Sequence, residues 1–131
     1  MRLSEALRLG EFSLPACYAT WFRWEKDKLC AGCAVARACF AAGYRPQYWT
    51  SPEKEFLPLS QFFATTWPGL LAYEMPIVGT HYVSQLLLDI SNLYEVHRWP
   101  MPKIADWVEQ IEREMETTPA KDAQKPAHAL A

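Results

Sequence analysis

Leu29-Cys-Ala-Gly-Cys-Ala-Val-Ala-Arg-Ala-Cys-Phe-Ala-Ala42, followed by Gly43, is the stretch on which the fold of this chain turns. Small and apolar residues fill it, Arg37 is its only charge, and Gly43 stands where helices commonly stop. The composition predicts one helix over 29–42, buried on nearly every side. Cys30, Cys33 and Cys39 lie within it, and Cys17 comes thirteen positions before Cys30. The four thiols Cys17, Cys30, Cys33 and Cys39 are therefore candidate ligands for zinc or an iron–sulfur cluster. Helical phase works against that reading. At about 100° per residue, Cys33 lies near Cys30 while Cys39 points to the opposite side. One ion reaches all three only if the helix breaks, and Gly32 is the natural place. Packing needs no break: Leu29, Cys33, Ala36 and Phe40 form one core stripe, and Val35, Cys39 and Ala42 another. Buried free cysteine behaves as a small hydrophobe, and packing is the preferred reading. A redox dithiol at Cys30/Cys33 is the third.

Working outward, 131 residues predict a single domain that buries roughly two thirds of its unfolded-chain surface. Half the residues are apolar, and Trp, Tyr and Phe occur six times each, the composition of a folded chain. The net charge of −2 is spread unevenly, near +3 over 1–45, −2 over 46–79 and −3 over 80–131. Such a distribution lacks the basic stripe of a nucleic-acid binder, which disfavours nucleic acid as a partner. The N-terminus has no signal-peptide pattern, and no apolar run approaches the ~20 residues that span a bilayer. A cytoplasmic protein with no membrane partner is expected. In that compartment close cysteines point to metal, redox chemistry or burial rather than disulfides.

Four further helices are expected. Ser4 caps a first one carrying Leu3, Ala6 and Leu7 and ended by Gly10. A second, over 16–24, holds Tyr18, Trp21, Phe22 and Trp24. Pro46, Pro52, Pro58, Pro68 and Pro76 confine the middle to short pieces, with a capped start at Thr50-Ser51-Pro52-Glu53 and another turn or two over 59–67. Thr80 caps a helix with Val83, Leu86, Leu87, Ile90, Leu93 and Tyr94 at helical spacing, and a last helix from Pro102 carries Ile104, Trp107, Val108, Ile111 and Met115. No stretch alternates with period two for long enough to suggest a sheet. The expected fold is all-α, a small bundle of about five helices with a C-terminal helical hairpin and an irregular Pro-rich middle. Residues 1–116 form the domain, and 117–131 a disordered tail.

Two stretches carry a resemblance. Leu3-Ser-Glu-Ala-Leu-Arg-Leu-Gly10 is similar to the Leu-Ala-Glu-Ala-Ile-Arg-Leu-Gly opening of a family of short uncharacterised bacterial and phage proteins. Leu93-Tyr-Glu-Val-His-Arg-Trp99 with Lys103-Ile-Ala-Asp-Trp-Val-Glu109 resembles that family's closing motif, although Pro100-Met-Pro102 replaces its Ser/Thr capping box. The resemblance implies a helical fold and no assigned chemistry. The spacing Cys-x2-Cys-x5-Cys also resembles WhiB-type iron–sulfur regulators, whose Pro after the second Cys, Gly-Val-Trp-Gly-Gly turn and basic tail are absent here.

For function the sequence favours a non-enzymatic module that binds another macromolecule, of phage or mobile-element origin. Candidate interaction residues are the aromatics Tyr48, Trp49 and Trp67 of the Pro-rich middle, and Asp106 and Glu109 on the acidic last helix. That helix carries five acidic residues against two basic ones over 101–116, which phosphates would repel from a DNA groove. The alternatives are a cysteine-ligated zinc or iron–sulfur regulator, and an enzyme using His97 with Glu95. The last predicts a concave pocket at the helix hairpin. His97 has a structural reading too, beside the terminal carbonyls of its helix, with Trp99 and Trp107 packed together.

Overall fold

Residues 1–48, 51–68, 74–77 and 81–117 are described by the computed structural model. In chain order they form α1 (Leu3–Gly10), β1 (Phe22–Glu25), β2 (Lys28–Gly32), α2 (Ala34–Ala41), α3 (Pro52–Thr66), β3 (Glu74–Ile77), β4 (His81–Ser84), α4 (Gln85–Glu95) and α5 (Met101–Thr117). The strands pair as two antiparallel hairpins, β1 with β2 and β3 with β4. The fold is thus mixed α and β, which overturns the all-α expectation.

The stretch 29–42 shows why. It is divided between β2 and α2, and the division falls at Gly32 and Cys33. Cys33 is the N-cap of α2 in extended conformation; its N–H donates to the Trp21 carbonyl and its carbonyl accepts from Arg37 N–H. Phe22-Arg-Trp-Glu25 alternates buried and exposed positions, turns at Lys26-Asp27 with Lys26 at φ 58°, and returns along β2. The 16–24 helix of the sequence reading is therefore absent. Residues 15–17 run beside Gly32 instead, with Cys17 N–H donating to Gly32 O and Gly32 N–H to Pro15 O.

The Pro-rich middle is also more regular than expected. α3 runs unbroken through Pro58 for 15 residues, capped by Ser51 Oγ, which accepts from Lys54 N–H, with Pro52 in the first helical position. Its Glu55, 3% exposed, holds the first hairpin against the helix: the carboxylate accepts from Phe22 N–H at 3.2 Å and from Trp24 Nε1–H at 2.9 Å. α4 starts at Ser84, whose hydroxyl accepts from Leu87 N–H; the expected cap, Thr80, lies outside the described residues. α5 follows its sequence reading closely, and the tail over 118–131 lies outside the described residues.

The core is built around α2. Ala34, Val35, Ala36, Ala38 and Cys39 are fully buried or nearly so, and small side chains let α1, α3 and α4 approach closely. Gly10 is required there by space: a Cβ would stand 2.8 Å from the Arg37 carbonyl carbon and oxygen. α1 places Leu3, Ala6 and Leu7 against this helix and packs also on α5, whose Ile104, Ala105 and Val108 are fully buried. Ser4 caps nothing in α1. Its N–H and hydroxyl both donate to the buried carboxylate of Glu112, joining α1 to α5.

Candidate functional site

The cysteines are separated by the β2–α2 division. Cys30 is half-buried and occupies the register shift of the first hairpin, where Arg23 pairs with Ala31 and Trp24 with Leu29, so Cys30 has no cross-strand partner. Cys17, Cys33 and Cys39 are buried. Burial pushes all three thiols up, Cys33 to about 12, which keeps them protonated and poor nucleophiles at neutral pH. Among the described residues no group of three or more His, Cys, Asp or Glu side chains is placed to hold a metal ion. The break at Gly32 that a metal site requires exists, yet it does not gather the four sulfurs.

The other sequence candidates are distributed through the molecule. Trp67 is 4% exposed, and its indole N–H donates to the Met1 carbonyl at 3.0 Å. Tyr48 is exposed with its ring edge-on to Trp24, and Trp49 lies outside the described residues. Asp106 and Glu109 pair with an arginine of α1 at the surface: Arg8 Nη2 lies 2.8 Å from Asp106 and 2.5 Å from Glu109, and Arg113 pairs with Glu109 as well. Hydrogen bonding from Arg8, then the charge of Arg113, holds the Glu109 carboxyl below the usual carboxylate range. His97 is exposed just beyond the C-cap of α4, and the Trp99 ring carries Lys103 Nζ above it at 4.1 Å.

A different constellation forms at the end of the molecule where α1 finishes, α4 finishes and α5 begins. Tyr94, at the end of α4, donates its hydroxyl to the Cys17 carbonyl at 2.9 Å. The Tyr18 ring stacks on it with centroids 4.5 Å apart and planes 11° from parallel. Arg98, at φ 57°, lays its guanidinium 3.8 Å over Tyr18. On the other side lies the buried Arg37, whose Nη2 donates to the Tyr94 hydroxyl at 3.4 Å and whose Nη1 donates to the Glu11 carbonyl at 3.5 Å. These bonds tie the Glu11 carbonyl to the hydroxyl end of Tyr94 through the Arg37 guanidinium. Leu9, Phe12, Tyr18 and Val96, in the segments flanking these linked residues, are exposed to solvent; Phe12 is 84% exposed. The other large hydrophobic side chains exposed among the described residues are Met1 and Tyr48.

Beside this end is a depression of about 240 Å³ lined by Ala19, Thr20, Trp21, Ser91 and Glu95. Ser91 and Glu95 are four apart and share one face of α4. Ala19 is held at φ 68°, a conformation uncommon without glycine, and its N–H donates to Glu95 Oε1 at 2.8 Å. His97 is not among the lining residues, so the structure does not assemble a His97–Glu95 pair in this hollow.

Comparison with protein-family models, curated proteins and solved structures finds no match. The residues compared with that family in the sequence lie in α1, across the end of α4 and in the first part of α5, and α1 meets α5 through Arg8, Asp106 and Glu109.

The sequence signals missed for this site were short ones. Leu9 lies off the α1 stripe of Leu3, Ala6 and Leu7, and Phe12 follows the Gly10 stop, so both are apolar residues with no core position to fill.

Proposed function

We propose that this protein is a binding module for another protein, engaged through the end of the molecule that carries Leu9, Phe12, Tyr18 and Val96. One observation supports it: Leu9, Phe12, Tyr18 and Val96 face solvent in segments that Arg37 and Tyr94 link, and Tyr18 stacks on Tyr94 under the cation of Arg98. Apolar and aromatic side chains with arginine are the composition of interface centres, and an apolar patch facing solvent is costly without such a use. The acidic candidates Asp106 and Glu109 pair with Arg8 and so also attach α5 to α1. An origin in a phage or mobile element rests on the resemblance of α1 and of the α4–α5 region alone.

The test is capture and crosslinking of a partner from the source organism's extract by the wild-type chain, by Phe12→Ser/Val96→Ser and by Tyr48→Ser. The reading expects one partner bound by wild type and Tyr48→Ser and lost by the double variant, with unchanged melting. Undiminished capture by the double variant overturns it.

A further inference from the structure

We infer that the depression beside Glu95 receives the ammonium group of a lysine side chain presented by the partner. This rests on the protein-binding reading above and adds the chemistry of one contact. The hollow adjoins the apolar end through consecutive residues, since Ala19 follows Tyr18 and Glu95 precedes Val96.

Three features select the group. The first is charge. Glu95 brings a carboxylate to the wall of the hollow, and no described lysine, arginine or histidine forms an ion pair with it. Arg98, the nearest cation in sequence, lies over the Tyr18 ring. The second is orientation. The Ala19 N–H, set by its left-handed backbone, fixes one carboxylate oxygen and leaves the other available to accept. A local strain of this kind is held where the surrounding structure uses it. The third is shape. Trp21 gives the hollow an indole wall, backed by Phe56 at a centroid distance of 4.9 Å, along which an aliphatic stem can lie and toward which a cation is attracted. Ser91 adds one hydroxyl acceptor a helical turn away, while the Thr20 hydroxyl already donates to the Phe22 carbonyl. A compact ammonium with three donors suits one free carboxylate oxygen and one hydroxyl. A guanidinium, whose planar fork favours two parallel acceptors, suits them poorly.

The experiment follows the Ala19 amide and the Trp21 indole signals by two-dimensional NMR during titration with three probes. They are Nα-acetyl-lysine N-methylamide, its norleucine counterpart, and norleucine N-methylamide with a free α-amine. The lysine probe shifts both signals in a saturable way and the norleucine probe does not. Glu95→Gln keeps an acceptor for Ala19 N–H while removing the charge, and weakens lysine binding by about tenfold, the scale of one charge-assisted hydrogen bond. Equal shifts from lysine and norleucine overturn the proposal, as do equal shifts from the free α-amine, or unchanged affinity in Glu95→Gln. Should Glu95→Gln fold poorly, the probe comparison on the wild-type chain still decides. Phe12→Ser/Val96→Ser retains the lysine response, so a failed lysine site is distinguishable from a failed docking end.

Discussion

Cys33 illustrates how a residue can look chemical in a sequence and be structural in a fold. Its thiol is buried at the N-cap of α2, and desolvation pushes it up to about 12; Cys39 and Cys17 move in the same direction for the same cause. A thiol that ionises more readily unfolded than folded contributes stability in full below the ordinary thiol range near 8.5 and loses it as pH rises toward 12. Urea-denaturation free energies are therefore expected to hold steady to about pH 8.5 and then fall, each buried thiol contributing about 1.4 kcal/mol per pH unit at most. Cys33→Ala makes that alkaline limb shallower. An unchanged slope in the variant, measured from pH 8 to 10 or so, contradicts the assignment. Over the same range a thiol reagent labels Cys30 in the native protein, since the other three are buried.

At the scale of elements, the helices were more legible than the strands. α5 follows from its apolar spacing, and α1 from Leu3, Ala6, Leu7 and Gly10. The first hairpin was misread because its strands have four and five residues, too few for alternation to stand out, and because the aromatics at 18, 21, 22 and 24 mimic helical spacing. Pairing of Phe22 with Gly32 and the Glu55 carboxylate that accepts from Phe22 N–H are tertiary facts with no local signal. The candidate site was legible only in its parts: Glu95 and His97 were singled out, and the fold joins Glu95 to Ala19 and Trp21 instead. In α3, proline was read as a breaker, yet a helix tolerates one when packing outweighs the lost bond. Pro58 leaves the Lys54 carbonyl without its helical donor. Pro58→Ala restores that N–H and is expected to stabilise the protein by about 1–3 kcal/mol, read as a raised urea midpoint. A lowered midpoint would show that the proline ring itself is needed in the packing.

For the molecule as a whole, α1 and α5 are joined by charge at their rim and by Ser4 and Glu112 beneath it. The Glu109 carboxyl titrates below its ordinary range because Arg8 donates to it and Arg113 adds its charge. A depressed carboxyl contributes stability above the unfolded value and loses it as pH falls through the folded one. The acid limb of the stability profile should accordingly be steeper in the wild-type chain than in Arg8→Met, and added salt should narrow the difference, because the groups are at the surface. Melting temperatures from pH 6 down to about 3 measure both effects. Identical acid limbs would remove the Arg8 network from any account of stability.

The placement of α1 also bears on how the protein is made. α1, with Leu3 and Leu7 buried, packs on α5 as well as α2, and Ser4 reaches a carboxylate 108 positions further along the chain. A ribosome delivers α1 well before Glu112, so while the chain between them is made α1 has no completed seat. A nascent chain arrested before α5 should present the Leu3–Leu7 face to chaperones, and the emergence of α5 marks the moment at which this seat closes.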